Sequence, residues 1–188
     1  MILNWCSPRA DTNKFFVTRK SDFVDLNRDE LIRTPLRASY SGMKQLWLPR
    51  TVLEADFLVS MPKIKTHHWS GVTLAMKNMF GIVPGARYGW PKNILHWKGI
   101  QESILDLCAT VPVHFVIADG IIAMDGNGPL NGAPRLLERI VLADDPVAPD
   151  VTCARLMGFD RGGSRIFAKT GAFLTMLSRS SSTRVAKP

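Results

Sequence analysis

The sequence predicts an α/β fold, a mostly parallel sheet with flanking helices, in an incomplete domain. Three observations carry this expectation. Short apolar runs ending at prolines or aspartates alternate with amphipathic stretches, as strands and helices do in such sheets. Residues 113–118 form a nearly continuous apolar run, the pattern of a strand buried on both faces. Residues 145–158 carry a full helix frame, with Asp145 as N-cap, Pro146 as first helical residue and Gly158 just past the end.

The elements follow in order. Residues 1–44 are poorly patterned, with a short strand expected at 23–26. Residues 50–55 read as one helical turn leading into a strand at 57–61, which stops at Pro62. After the polar stretch that follows, residues 72–80 have helical character. The segment 82–92, punctuated by Pro84, Gly85, Gly89 and Pro91, is long for a plain connection and reads as a lid. Ile94, Trp97, Ile100, Ile104, Leu107 and Cys108 recur at three- and four-residue spacing, so one helix is expected over 94–111, closed by Pro112. The strand at 113–118 ends at Asp119–Gly120, and residues 121–124 lead into a glycine-rich loop at 125–132. A further strand at 139–143 ends at Asp144–Asp145, and the helix 147–157 follows. An α/β domain is thus expected over 45–160. Residues 161–188, with Gly-Gly and Ser-Ser-Ser runs, read as a basic, disordered tail with at most one marginal helix at 167–177.

Composition narrows the function classes. Of the 188 residues 46% are apolar and 21% charged, a globular balance. No apolar run reaches the ~18 residues needed to span a bilayer, and the start lacks the layout of a signal peptide. A soluble, cytoplasmic protein without a membrane partner is expected. The net charge of +8 points toward nucleic acid only superficially. Six basic residues and no acid follow Asp160, so +8 less +6 leaves +2 for residues 1–160. Such tails are usually solvated, which ranks nucleic acid last among the partners. The cysteines Cys6, Cys108 and Cys153 are scattered, with no C-x-x-C pair; Cys108 and Cys153 fall in apolar helical patterns as buried structural thiols. Neither a Gly-x-Ser-x-Gly elbow nor a phosphate-loop glycine spacing occurs.

The chemistry concentrates in residues 62–81, PKIKTHHWSGVTLAMKNMFG. An apolar strand, a polar loop and a helix start in succession form a common α/β layout for anionic ligands, with the helix N-terminus offering free N–H groups. Lys63 and Lys65 alternate along an extended segment and can both face a ligand only if Ile64 points into the core. His67 and His68 are adjacent and, in extended backbone, point to opposite faces, so at most one would ligate a given metal. Lys77 and Asn78 sit in an otherwise apolar helix, and Asn78 is placed to help cap its end. His67, His68, Lys77 and His96 are the candidate catalytic residues; Lys63, Lys65, Asn78 and Asn127 are the candidate substrate-binding residues. Asp119, Asp125 and Asp145 end or follow apolar runs. In parallel sheets ligands sit beyond the carboxyl ends of strands, so these aspartates are candidate ligands for a divalent metal, the one cofactor considered. His114, inside a strand, reads as a satisfied histidine.

The segments VLEADFLVSMPKIKTHHWSGVTLAMKNMFG, then His96, then VIADGIIAMDGNGPLNG, then ADDPVAPDVTCARLMGFD resemble the family called domain of unknown function 362, over roughly residues 45–160. The resemblance implies an α/β protein. Some members carry a ferredoxin-like module with cysteine runs for [4Fe–4S] clusters and are described as iron–sulfur centre proteins; this chain has no such run. It looks like a truncated member, since a Lys-Pro-Asn segment and further strands usually precede this region. The family supplies no reaction. The leading expectation is a Lys/His/Asp site for a small anionic substrate, metal-assisted or not, leaving enzymatic activity open. The alternatives are a non-catalytic accessory or electron-transfer partner of a ferredoxin-like iron–sulfur protein, or a degenerate remnant.

Overall fold

The apolar run that begins at Val113 becomes the centre of the sheet in the computed structural model, which describes residues 2–3, 23–89 and 92–159. The strands are β1 (Ile2–Leu3), β2 (Leu31–Pro35), β3 (Gln45–Pro49), β4 (Val59–Ser60), β5 (Lys63–His67), β6 (Gly71–Thr73), β7 (Phe115–Asn127) and β8 (Asn131–Ala143). The helices are α1 (Arg50–Leu53), α2 (Ala75–Asn78), α3 (Gly85–Tyr88), α4 (Asn93–Trp97), α5 (Ile100–Thr110) and α6 (Val147–Leu156), with a 3₁₀ turn at Met79–Ile82. The fold is α/β with a mostly parallel central sheet. β1 pairs with β4, and β4 and β5 pair with β7, all in parallel; β6 on β5 and β8 on β7 are antiparallel. β8 covers one edge of β7 from Val116 to Asn127, so β4 and β5 follow one another along the other edge. The break between them falls at Pro62, which has no N–H to donate to a ladder. Its carbonyl instead accepts the Asp119 N–H at 2.9 Å. β2 and β3 form a separate antiparallel ribbon.

Two apolar clusters hold these elements. One joins Leu46 and Leu48 of β3 to Met76, Met79 and Ile82, and to Ile104 and Leu107 of α5. The other joins Ile64 of β5 to Val116 and Ala118 of β7 and to Cys153 of α6. Ile64 is fully buried, which turns Lys63 and Lys65 away from the core. The thiols of Cys108 and Cys153 are structural; Cys6 lies outside the described residues. Burial first, and the Asp150 charge second, push Cys153 up to about 12 and hold Cys108 well above the usual thiol range.

Several boundaries differ from the expectation, each for a local reason. The strand expected at 23–26 is absent; Asp25 Oδ1 accepts the Asn27 N–H at 3.0 Å, and this side-chain turn replaces extended backbone. The strand expected at 57–61 shortens to β4, and it stops ahead of Pro62 as expected. The helix expected over 72–80 begins only at Ala75: Val72 and Thr73 are β-branched and pair with β5, led in by Gly71 at φ +79°. The single helix expected over 94–111 is two, α4 and α5. Gly99 sits at φ +98°, which no α-helix accommodates. The segment 82–92 contains the end of the 3₁₀ turn and α3 rather than an unstructured loop. The loop expected over 125–132 is mostly strand, and the strand expected at 139–143 starts at Asn131. Only residues 128–130 turn between the two long strands. The helix at 147 and its Gly158 terminus, at φ +80°, stand where expected. The basic tail at 161–188 lies outside the described residues.

Candidate functional site

β5 carries Lys63, Lys65 and His67 along the inner edge of β7, and the chain then reverses through residues 68–70 into β6. α2 brings Lys77 and Asn78 over the same edge, and α4 brings His96. These side chains line one cavity of about 220 Å³ with Thr73, Phe80, Gly81, Lys92, Pro129 and Leu130. The last two come from the tip of the β7–β8 hairpin. That tip is docked: the Gly128 carbonyl accepts the His68 N–H at 3.1 Å, and a Cβ at Gly128 would stand 2.0 Å from the Thr66 carbonyl oxygen. Only glycine permits so close an approach.

The site is strongly cationic. Among the described residues no acidic side chain lines the cavity. Lys63 is paired with Asp119 at the rim, both groups roughly half exposed. Among the described residues no carboxylate lies within ion-pair distance of Lys65 or Lys77. Burial lowers the Lys65 pKa. Burial, then the neighbouring Lys65 charge, bring Lys77 down to about 8; burial, then Lys77, bring Lys92 down to about 7. Both ammonium groups lie over the Phe80 ring, at 5.4 Å for Lys77 and 5.2 Å for Lys92. Lys92 Nζ also donates to the Phe80 carbonyl. Lys92 adopts φ +68°, a left-handed conformation that costs a non-glycine residue on the order of 1 kcal/mol. Such outliers gather at functional sites, and this one aims a buried ammonium into the cavity.

The imidazoles differ in state. His67 Nδ1 accepts the Trp69 N–H at 3.1 Å, which leaves the ring proton on Nε2. Burial first, then Lys77, His68, Lys65 and His96, bring its pKa down to about 3, so His67 is a neutral donor. His96 Nδ1 faces the Lys92 carbonyl at 3.1 Å. A carbonyl can only accept, so that nitrogen carries the proton and Nε2 is left as the exchangeable atom. His68 does not point away from His67. It lies past the end of β5, in the turn, and its ring stacks on His67 at 4.9 Å with an interplanar angle of 16°. The rule of opposite faces fails because the backbone is no longer extended there. Trp69 stands edge-on to His68 at 4.9 Å and to His96 at 4.8 Å.

Lys63, Lys65, His67, Lys77, Asn78 and His96 therefore come together, and His68 stacks beside them. Asn127, Asp125 and Asp145 do not line the cavity. Asn127 pairs with Asn131 at the end of the hairpin. Asp125 turns its Oδ1 onto the Gly126 N–H at 2.7 Å. Asp145 Oδ1 caps the start of α6, accepting Val147 N–H at 2.7 Å and Ala148 N–H at 2.9 Å. Asp119 is at the rim; burial alone would raise its pKa, but the hydrogen bonds from Lys63 and Ile121 and the Lys63 charge outweigh that and hold it low. Among the described residues no group of three or more His, Cys, Asp or Glu side chains is arranged to hold a metal ion. Asn78 does not cap a helix end. Its Nδ2 donates to Ser60 Oγ at 3.0 Å, and Ser60 Oγ donates to the Ala75 carbonyl at 3.2 Å. His114 is satisfied outside the site, its Nδ1 accepting the Leu58 N–H at 3.0 Å.

Two residues escaped the sequence reading. One is Lys92, hidden in a segment read only as a lid. The other is Asp150. Its carboxylate accepts the Ala75 N–H at 2.7 Å and the Met76 N–H at 3.1 Å, so the start of α2 already holds an internal anion and is not open to a ligand. Burial pushes the Asp150 pKa up to about 7 against the pull of those two hydrogen bonds. The available signal was an aspartate within the apolar pattern of helix 147–157.

A family model described as "Domain of unknown function (DUF362)" matches residues 9–155. The thylakoid-associated protein sll1697 of Synechocystis sp. is 29% identical over 125 residues, which are 63% of this chain. The aligned region spans 38% of that relative's own length. No solved structure matches the chain. On the extent of the family match, the chain belongs to the DUF362 family.

Proposed function

We propose that the cavity binds a small organic anion. One observation carries this reading: four lysines and two histidines line a single cavity that, among the described residues, no carboxylate lines. Burying charge is unfavourable, and more so beside a like charge; burial lowers the pKa of Lys65, and burial followed by a neighbouring lysine lowers those of Lys77 and Lys92. An anionic ligand offsets that cost. In this reading Lys65, Lys77 and Lys92 hold the anion as point charges. His67 donates from Nε2, Asn78 is a neighbouring polar contact, and Lys63 with Asp119 shapes the rim. His96 offers Nε2 for proton transfer to or from the bound molecule, the role a positioned imidazole usually fills. A cavity of about 220 Å³ is smaller than sites for drug-sized ligands, roughly 300–1,000 Å³, so the ligand is small.

The test is a thermal-shift titration with inorganic phosphate and simple carboxylates. A ligand of the folded state alone must raise Tm with concentration. Lys77→Met keeps the length and apolar stem of the side chain while removing its charge, and should lose most of the shift. A Lys77→Met protein that keeps the full shift would remove Lys77 from the site.

A further inference from the structure

We infer that Lys77 is a nucleophilic amine and that the cavity takes a short 2-oxo acid, which Lys77 binds through a Schiff base. This rests on the anion reading above, names the class of anion and adds a covalent step.

A lysine attacks a carbonyl only as the free amine, and desolvation or a neighbouring cation is what frees it near neutral pH. Both act on Lys77. Its amine lies over the Phe80 ring at 5.4 Å, in a cavity shared with Lys65, and no carboxylate stands within ion-pair distance among the described residues. Burial, then the Lys65 charge, bring its pKa down to about 8. The neighbouring lysines are committed elsewhere: Lys63 pairs with Asp119, and Lys92 Nζ donates to the Phe80 carbonyl.

The carboxylate has its own seat. Lys65 stands directly opposite Thr73 in the ladder of β5 and β6, so the two side chains share a face. Thr73 Oγ1 is buried without a hydrogen-bond partner among the described residues, and both residues line the cavity. Lys65 supplies charge to a carboxylate there and Thr73 a hydrogen bond. A carbonyl adjoining that carboxylate presents an electrophilic carbon to Lys77, and a cavity of about 220 Å³ suits a short chain.

The chemistry is imine formation. Lys77 gives its ammonium proton to His96 Nε2, the ring nitrogen left free because Nδ1 faces the Lys92 carbonyl. The Lys77 lone pair then forms a C–N bond to the 2-oxo carbon as the C=O π bond breaks, and the oxygen takes a proton from that nitrogen. His96 returns its proton to the resulting hydroxyl, which departs as water while the nitrogen lone pair closes the C=N bond. One ammonium and one ketone become one iminium and one water, without oxidant or reductant.

Pyruvate and cyanoborohydride at about pH 7.5, with the reduced adduct mapped by mass spectrometry, test this on the full chain. Lys77 should gain its carboxyethyl group at least about tenfold faster than the exposed Lys44 and Lys98. Lys77→Arg keeps a cation that cannot form an imine, and the fast adduct should vanish. Tm is followed in parallel with pyruvate and with inorganic phosphate, without reductant. A Tm shift with either anion while Lys77 labels no faster than Lys44 would overturn the proposal and leave the anion reading standing. Fast labelling at Lys65 or Lys92 in place of Lys77 would overturn it as well. No Tm shift with either anion and no fast adduct would end both.

Discussion

A lysine folded into an apolar cavity beside other lysines resists its own charge, and that resistance reads out as pH-dependent stability. In the unfolded chain these amines titrate near 10.5; in the folded one Lys77 titrates at about 8 and Lys92 at about 7. Between about pH 7 and 10.5 the unfolded state therefore binds more protons, and stability rises with pH through that window. The unfolding free energy from urea titrations should climb across it, by up to about 8 kcal/mol for the two groups together, and saturating phosphate should flatten the climb. A flat profile without phosphate would contradict the burial of these charges. The acid side is less clean. His67, held down to about 3, loses stability as pH falls below 6.5, whereas Asp150, pushed up to about 7 from 3.8, gains stability over an overlapping range. The two oppose each other, which makes the alkaline window the informative one. At this scale the sequence made Lys63, Lys65, His67 and Lys77 legible, because cations and imidazoles after an apolar strand stand out. Lys92 was not legible. What aims it is a left-handed backbone at a non-glycine residue, and no residue pattern announces that.

Among the elements, α2 is four residues long and cannot hold itself together by its own hydrogen bonds. Its first turn is fixed from outside by Asp150 on α6, fully buried against it. Asp150→Ala should leave two buried N–H groups unpaired and cost roughly 2–4 kcal/mol by urea unfolding. Asp145→Ala, which removes an ordinary cap from α6, should cost only about 1 kcal/mol. Equal costs would deny Asp150 its bridging role. Because α2 carries Lys77 and Asn78, the Asp150 variant should also weaken phosphate binding, and the Asp145 variant should not. Helix framing was readable wherever cap residues did the work, as at Asp145, Pro146 and Gly158. It failed where a glycine broke an unbroken apolar period, at Gly99, and where β-branched residues mimicked a helix start, at Val72 and Thr73.

For the whole molecule, the parallel pairing of β4 with β7 was foreseeable from apolar runs that end at Pro62 and Asp119, whereas β5 was not, because its lysines and histidine after Pro62 read as a polar loop. The long β7–β8 hairpin was not, because its glycines and proline imitate a loop. That hairpin completes the cavity by placing Pro129 and Leu130 opposite β5, a contact between residues some sixty positions apart that local pattern cannot reveal. The expected common rim of cations, imidazoles and aspartates resolves into two arrangements. The cations and imidazoles share a cavity, with Asp119 at its edge, while Asp125 and Asp145 serve backbone turns. The large apolar side chains Ile121, Ile122, Leu136, Ile140 and Leu142 on β7 and β8 remain half exposed or more.

The central claim is that buried lysines share one cavity, lined by no acid among the described residues, and bind an anion there. Nuclear magnetic resonance of protein labelled with ¹³C at the lysine ε-carbon tests it most directly, with Lys77→Met and Lys92→Met for assignment. Two resonances should titrate near 8 and 7, and phosphate should move both upward. Two resonances titrating near 10.5 and indifferent to phosphate would contradict the account.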